Sequence, residues 1–169
     1  MLLANQQKTN NNNKPIAQCD KWIAQLLSDK QYVEAYQLLK TEPQQKLSTL
    51  FNMALCMYFA KEYEQTLTKL DEALAKLQCP PDKQPLLYDD LYKKLEAIQN
   101  TSNSYLLGIS DDYARNFQYL LKNNILRIKV DCYRALCLWN KVIELAALLK
   151  SHNYQNVESA VAEAISMDF

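Results

Sequence analysis

Residues 52–67 read NMALCMYFAKEYEQTL, and the same pattern continues to Leu74. Apolar side chains recur at three- and four-residue spacing on both sides of a charged pair, Lys61 and Glu62. This spacing places the apolar side chains along one face of a helix. The stretch therefore predicts two antiparallel helices joined by a short turn.

The same spacing recurs on both sides of this stretch. Towards the N terminus it predicts one helix around residues 22–27 and another around residues 32–39. Towards the C terminus it predicts helices near 86–99, from 110 to about 136, near 139–150 and near 156–167. The pair Asn123 and Asn124 predicts a break or kink in the longest of these. The chain is thus expected to form about eight helices.

Glycine is nearly absent from the chain, with one in 169 residues. The usual share is about 7%. Hairpin turns, bulges and phosphate-binding loops depend on glycine, so its scarcity disfavours β-rich folds and nucleotide-binding enzymes. The five prolines all lie where the pattern predicts helix boundaries or connections. Composition therefore predicts an all-α fold.

The first part of the chain differs from the rest. Residues 1–15 are polar and include an uninterrupted asparagine run at 10–13. Such a segment buries too little apolar surface to offset the entropy of ordering, which predicts a flexible tail. Residues 16–169 are predicted to form a single helical domain.

The register of the opening stretch resembles the tetratricopeptide repeat, most clearly over about residues 47–77. In that family a small residue lies where two helices cross, here Ala54, and a large one follows a turn later, here Met57. An aromatic residue then opens the second helix, here Tyr63, with a small residue three positions on, here Thr66. The family's usual turn glycine is Lys61 here, which departs from the pattern.

Weaker copies lie on both sides. Tyr32 and Trp139 match Tyr63, at intervals of 31 and 76 residues, against a usual repeat of about 34. The matching positions upstream are Ile23 and Leu26 in the first copy and Val130 and Tyr133 in the last. The longer interval leaves room for a degenerate hairpin from helices near 86–99 and 112–123. An unrelated helical bundle with one accidental match is the alternative.

The resemblance implies antiparallel hairpins stacked as a short superhelix that binds other proteins and performs no catalysis. We therefore predict a protein-binding adaptor, a small subunit of a larger assembly, whose partner supplies a peptide or a helical segment. Four side chains of the clear repeat are candidates to line its binding groove: Asn52, Leu55, Tyr58 and Phe59. For Tyr58 and Phe59, a position in the core is the open alternative.

Some family members grip the C-terminal carboxylate of chaperone tails. Asn52 matches one asparagine of that clamp, but Asp20 and Ala24 stand where the first repeat would supply a lysine and an asparagine. Because an aspartate repels a carboxylate, we predict that the chain has no such clamp.

The densest basic stretch suggests an alternative function in nucleic-acid binding, although an ordinary solvated helix face is the simpler interpretation. It consists of Lys122, Arg127, Lys129 and Arg134, with tyrosines nearby. Basic side chains on one helix face, interleaved with aromatic residues, suit RNA or an acidic peptide. Lysine plus arginine and aspartate plus glutamate balance at 19 each, so net charge favours no nucleic acid or membrane partner.

The chain offers little material for catalysis or for a cofactor. His152 is the only histidine and is predicted to face solvent in a loop, and no C-x-x-C pair occurs. One glycine excludes both common nucleotide-binding motifs. Cys56 and Cys132 fit small core positions. We predict no enzyme activity, no small-molecule substrate, no cofactor and no metal site.

The predicted location is the cytoplasm, with the nucleus as an open alternative. The N-terminal residues lack a signal-peptide core, and no apolar run approaches the roughly 18 residues of a membrane span. The five cysteines are odd in number and widely spaced, which favours free thiols in a reducing compartment.

Overall fold

The computed structural model describes residues 16–78 and 89–167. In those two ranges the chain forms nine α-helices and two short 3₁₀ helices, with no strand. The α-helices are α1 (Ile16–Ser28), α2 (Tyr32–Leu39), α3 (Leu47–Phe59), α4 (Tyr63–Lys76), α5 (Asp90–Asn100), α6 (Asp111–Asn116), α7 (Gln118–Ala135), α8 (Trp139–Leu149) and α9 (Gln155–Met167). The predicted all-α fold is confirmed, and the predicted N-terminal tail lies outside the described residues.

Three helix pairs, α1–α2, α3–α4 and α7–α8, are joined by the same turn. Lys30, Lys61 and Cys137 each adopt a left-handed backbone, with φ of 61°, 64° and 56°. Each donates its N–H to the carbonyl three residues back, and the next residue donates to the carbonyl five residues back. These bonds satisfy carbonyls at the end of the first helix and reverse the chain. The three pairs are therefore equivalent helical hairpins at the turn.

The hairpins also share their buried positions. The residue seven positions before each left-handed residue is almost wholly buried, and so is the residue five positions after it. The first set is Ile23, Ala54 and Val130, and the second is Ala35, Thr66 and Val142. Because buried residues occupy the same positions relative to the turn, the two helices of each hairpin can pack against each other in the same way.

The helices pack in chain order with one exception. Helix α3 packs on both α1 and α2, and α9 on both α7 and α8, but α4 packs directly on α7 and bypasses α5 and α6. The third hairpin is therefore α7–α8, and the hairpin predicted from helices near 86–99 and 112–123 does not form. Leu86 and Leu87, which we expected in α5, lie outside the described residues.

Residues 100–112, the crossing segment, run from the end of α5 into α6. The 3₁₀ turn Ser104–Leu106 packs on α7, and α6 packs on α3 and α7. Ser110, where the sequence predicts a helix start, caps α6, because its Oγ accepts from the Tyr113 N–H at 3.2 Å. The segment thus lies against the first helices of the hairpins, α1, α3 and α7, which we call the first-helix face.

Helix α7 joins two hydrophobic clusters. Ile125, Ile128 and Cys132 belong to the first cluster, with α1–α4, whereas Leu126 and Val130 belong to the second, with α8 and α9. Cys56 is also buried in the first cluster, so both predicted core cysteines are confirmed. Different faces of α7 therefore pack into the two hydrophobic clusters.

The predicted break at Asn123 and Asn124 is wrong, because α7 runs through both residues. The break occurs at Phe117, where φ is −123° and ψ is 42°. Asn123 is buried and donates from Nδ2 to the Tyr154 hydroxyl at 3.1 Å. A tertiary partner removes the tendency of an asparagine side chain to compete with the helix backbone.

Candidate partner-binding surfaces

The four predicted groove residues do not line an open groove. Asn52 is 2% exposed and Leu55 is fully buried in the first cluster. Tyr58 and Phe59 are half-buried, and the Phe59 ring stacks on Tyr32 with 4.4 Å between centroids. The chain itself therefore covers part of the surface that the sequence assigned to a partner.

Asn52 is covered by the crossing segment, which it binds through the main chain. Its Nδ2 donates to the Ile109 carbonyl at 2.8 Å, and its Oδ1 accepts from the Ile109 N–H at 2.9 Å. One side-chain amide thus satisfies both backbone groups of a buried residue. The first-helix face therefore holds this segment by its backbone at Ile109, whose side chain is also buried in the first cluster.

Acidic residues anchor the C-terminal end of the crossing segment. Asp20 Oδ2 accepts from the Asp111 N–H at 2.7 Å, while Asp20 Oδ1 is buried without a hydrogen-bond partner among the described residues. The Asp111 carboxylate accepts from Ser48 and pairs with Lys46 at 3.1 Å. Helices α1 and α3 therefore fix the point at which α6 begins.

The single glycine fits because the crossing segment touches α1. A Cβ at Gly108 would lie 2.8 Å from the Ala24 carbonyl oxygen and 2.9 Å from both the Ala24 Cα and the Leu27 Cβ. Real Cβ atoms do not approach backbone so closely. Gly108 is thus needed for close approach, since its φ is not positive.

Arg127 holds the N-terminal end of the crossing segment. It is 2% exposed, with its guanidinium 3.9 Å from the Tyr105 ring centroid and 4.4 Å from that of Tyr154. Its Nε donates to Asn156 Oδ1 at 2.9 Å, and one terminal nitrogen donates to the Ser102 carbonyl at 3.1 Å. Stacking and hydrogen bonds together offset the cost of burying this charge.

Beside Arg127, Asp131 forms the floor of a polar cavity. The Tyr105 hydroxyl donates to Asp131 Oδ2 at 2.5 Å, and Asn156 Nδ2 donates to Oδ1 at 3.0 Å. Burial raises the pKa of the Asp131 carboxyl, against the lowering effect of these bonds and of Arg127. Burial, followed by the nearby Asp131 charge, also raises the pKa of the Tyr58 and Tyr105 hydroxyls.

The cavity has a volume of about 470 Å³ and opens between α3, α4, α7 and α9. It brings Tyr58, from the predicted groove, beside Arg134, from the predicted basic stretch. Arg134 is already paired there with Glu163, at 2.5 Å between Nε and Oε2. The charges of Arg134 and Glu163 therefore offset each other in this lining.

The four basic residues do not form one exposed surface. Lys122 is exposed, but Arg127 and Lys129 are 2% and 8% exposed. The Lys129 ammonium pairs with Asp71 at 2.5 Å. Consecutive positions of α7 turn towards different neighbours, so the charges that look adjacent in the sequence are divided between the core and the surface.

His152 is partly exposed and lies at the end of the second 3₁₀ helix, Lys150–His152. Its ring stacks on Tyr154 with 5.3 Å between centroids, and its Nε2 lies 3.0 Å from the Tyr119 hydroxyl. Its carbonyl accepts from Asn100 Nδ2 at 2.6 Å, which fixes the end of α5. The sequence carried no signal for this, because the contacts join parts of the chain that are distant in sequence.

Among the described residues, helix α5 and the groove between α8 and α9 both expose apolar surface. Helix α5 buries none of its residues, and Leu91, Leu95 and Ile98 are 63%, 57% and 67% exposed. Between α8 and α9 a groove of about 650 Å³ is lined mostly by apolar side chains, including Ile143, Val161 and Ile165. Exposed apolar patches of this kind are typical of interaction surfaces.

Within the described ranges, no three histidine, cysteine or acidic residues are grouped so as to hold a metal ion. In the same part of the chain, no helix combines the length and the apolar character needed to cross a membrane.

Comparisons of the chain with protein-family models, with curated proteins and with solved structures found no match. The function has to be inferred from the residues themselves.

Proposed function

We propose that the chain is a non-catalytic adaptor of the tetratricopeptide type, whose first-helix face binds an extended polypeptide. The observation that carries the proposal is the two-way pairing of Asn52 with the backbone of Ile109. A side-chain amide can form the same two hydrogen bonds with the N–H and C=O of an extended segment from another chain. In this structure the crossing segment occupies that position.

The repeated hairpin geometry supports the same proposal. Three turns share their left-handed residue and hydrogen bonds, and three pairs of buried positions share one register. The tetratricopeptide architecture implies such equivalence. A scaffold of this kind presents the first helices side by side, where one extended ligand can contact several of them.

Nucleic-acid binding through residues 122–134 is the less favoured function. Arg127 binds the Ser102 carbonyl and Lys129 pairs with Asp71, so neither is available to a phosphate. Of the other two residues, Lys122 and Arg134, the second is paired with Glu163. Phosphate binding needs several lysines or arginines directed at the backbone of the nucleic acid. We therefore favour a subunit of a protein complex over a nucleic-acid-binding protein.

The test displaces the crossing segment from the first-helix face by mutation and measures whether the exposed face binds a peptide. The Gly108→Val variant of the full chain cannot seat its crossing segment against Ala24 and Leu27. We expect this variant to bind a labelled peptide of residues 100–112 in fluorescence anisotropy, whereas the unaltered chain binds it weakly because its own segment competes. A peptide with valine at the glycine position is the matched control and should bind at least tenfold more weakly.

A folded, helical Gly108→Val variant that ignores the peptide would contradict the proposal. If the variant unfolds, hydrogen exchange of the unaltered chain gives the answer. A face that exchanges ligands requires the Ile109 amide to open more readily than the amides of α3. Exchange of the Ile109 amide only through global unfolding would mean that the segment is permanent core, and would equally contradict the proposal.

A further inference from the structure

The crossing segment is bound through one tyrosine as well as through its backbone. Tyr105 is 3% exposed, although it lies in a short 3₁₀ turn between helices. Its ring lies over the Arg127 guanidinium, with 3.9 Å to the ring centroid, and its hydroxyl donates to Asp131 Oδ2 at 2.5 Å. Both ends of this side chain are therefore bound, the ring by a cation and the hydroxyl by a carboxylate.

The groups that hold Tyr105 belong to the helices and not to the crossing segment. Arg127 and Asp131 lie one turn apart on α7. Asn156, on α9, connects them: its Oδ1 accepts from Arg127 Nε at 2.9 Å, and its Nδ2 donates to Asp131 Oδ1 at 3.0 Å. We call Arg127, Asp131 and Asn156 the tyrosine pocket. The pocket is thus built by residues outside the segment that occupies it.

The chemistry of the pocket selects tyrosine with a free hydroxyl. Phenylalanine could lie over Arg127 in the same way, but it would leave Asp131 Oδ2 without this donor. A site that binds the hydroxyl of a ligand discriminates strongly against the analogue that lacks it. A phosphate on the hydroxyl would bring about two negative charges against the Asp131 carboxylate. Arg134, the cation that lines the same cavity, is already paired with Glu163.

Two further contacts restrict the residues that follow the tyrosine. Three positions on, Gly108 lies where a Cβ would be 2.8 Å from the Ala24 carbonyl oxygen. The backbone of the next residue, Ile109, pairs with Asn52, and its side chain is buried in the first cluster. Leu107, by contrast, is 48% exposed. The face therefore distinguishes the first, fourth and fifth residues of this five-residue stretch.

We propose that the ligand of the first-helix face is a partner segment with the sequence tyrosine–x–x–glycine–aliphatic, whose unmodified tyrosine enters the tyrosine pocket. This inference rests on the proposed function, because the face must exchange its own segment for one from another chain. Residues 105–109 have the same pattern and act as an intramolecular competitor. Phosphorylation of the partner's tyrosine prevents its binding.

The test compares peptides of residues 100–112 that differ at the tyrosine. The receptor is the full chain with Tyr105→Ala and Gly108→Val, so that its own segment fills neither the pocket nor the glycine position. In fluorescence anisotropy, we expect the Tyr105→Phe peptide to bind about tenfold more weakly than the unaltered peptide, and the peptide phosphorylated at Tyr105 more weakly still. The Leu107→Ala peptide is the matched control and binds within about twofold of the unaltered peptide.

Substitutions in the receptor identify the group that makes the distinction. With Asp131→Leu added, the tyrosine and phenylalanine peptides bind alike, because the acceptor of the hydroxyl is gone. Glu163→Leu is the matched control, because Glu163 lines the same cavity but pairs with Arg134. It leaves the preference for tyrosine unchanged.

The outcomes separate this inference from the proposed function. Equal binding of the tyrosine, phenylalanine and phosphotyrosine peptides would overturn the inference and leave the proposed function in place. A phosphorylated peptide that binds most tightly would also overturn it, since the cavity would then take the phosphate. A folded receptor that binds none of the peptides would contradict the proposed function and this inference together.

Hydrogen exchange provides the answer if the receptor does not fold. Tyr105→Phe in the full chain removes only the hydroxyl, so the crossing segment should open more readily. We expect the Ile109 amide to exchange about tenfold faster than in the unaltered chain. Leu107→Ala is again the control and leaves this rate nearly unchanged. Equal rates in the Tyr105→Phe variant and the unaltered chain would overturn the inference, because the hydroxyl would then contribute nothing to binding.

Discussion

At the residue scale, Arg127 connects three parts of the molecule with one side chain. It lies on α7, donates to the Ser102 carbonyl of the crossing segment and to Asn156 of α9, and stacks between two tyrosine rings. Lys129, two positions later, is also buried, but its ammonium pairs with Asp71, whose side chain is 59% exposed, and lies 5.9 Å from the Tyr133 ring centroid. The two basic residues should therefore differ strongly in what their removal costs.

We expect Arg127→Met to reduce the free energy of unfolding by about 3 kcal/mol or more, because it leaves buried acceptors without donors. Lys129→Met is the matched control. Methionine keeps most of the buried stem, and an ion pair with an exposed partner contributes within about 1 kcal/mol. Urea denaturation of both variants measures the difference. Equal losses would mean that the tyrosine-stacked guanidinium has no special role.

The cysteines should differ in reactivity according to burial. Burial raises the pKa of the Cys56 thiol to about 11 and that of the Cys132 thiol to about 12, whereas Cys137 is exposed. Because the thiolate is the reactive form, iodoacetamide at pH 8 should label Cys137 and spare the other two until the protein unfolds. Peptide mapping after a timed reaction measures this. Early labelling of Cys132 would contradict its burial.

The raised pKa values of the two buried thiols predict that the stability of the folded protein decreases at alkaline pH. A pKa raised by folding means that the folded state holds its proton more tightly than the unfolded state. The stabilising contribution is complete below the ordinary thiol value of 9.0 and is lost as the pH rises to about 12. The buried tyrosine hydroxyls act in the same direction. Denaturation midpoints should therefore fall above pH 9, and less steeply in a Cys132→Ala variant.

At the element scale, each hairpin turn carries a conformational cost. Lys30, Lys61 and Cys137 have side chains in the left-handed region, which costs a residue other than glycine about 1–2 kcal/mol. The turns form nevertheless, because each is stabilised by two backbone hydrogen bonds and by the burial of apolar residues in the helices on both sides of it.

Glycine at these positions should relieve the strain. We expect Lys61→Gly to raise the free energy of unfolding by about 0.5–1 kcal/mol, since the gain in the folded state exceeds the added entropy of the unfolded chain. Lys40→Gly is the control, because Lys40 ends α2 with a right-handed φ of −66°. It should lower stability. A Lys61→Gly variant that is no more stable than the unaltered chain would show that the turn is not strained.

The sequence predicted elements better than it predicted surfaces. Apolar spacing located the helices from α1 to α4 and at α8 and α9, because that signal is local. It did not predict the partners of the crossing segment, because Asn52 and Arg127 lie more than twenty residues from the backbone groups that they bind. The lone glycine was the one visible sign, since Gly108 is where two parts of the chain touch. Tertiary pairing likewise overrode the local preference of Asn123.

At the scale of the whole molecule, α7 should make the two hydrophobic clusters unfold together. Its Ile128 belongs to one cluster and its Val130 to the other, so neither cluster can lose α7 alone. In a Trp22→Phe variant, Trp139 reports only on the second cluster, whereas far-ultraviolet circular dichroism reports on every helix. We expect the two probes to give the same midpoint in urea. An earlier fluorescence transition would mean that α8 and α9 unfold separately.

The contact of α4 with α7, across residues 77–117, has a consequence for the order of folding. In an ordinary repeat array each unit finds its neighbour at once, and structure spreads from any point. Here the neighbour of α4 emerges from the ribosome several seconds later, at about 5–20 residues per second. Until then Leu74, which packs against the second cluster in the finished protein, lacks that partner. The nascent chain therefore passes through a stage in which the first two hairpins have formed and the side of α4 that packs on α7 is exposed. A chaperone would bind the chain at this stage.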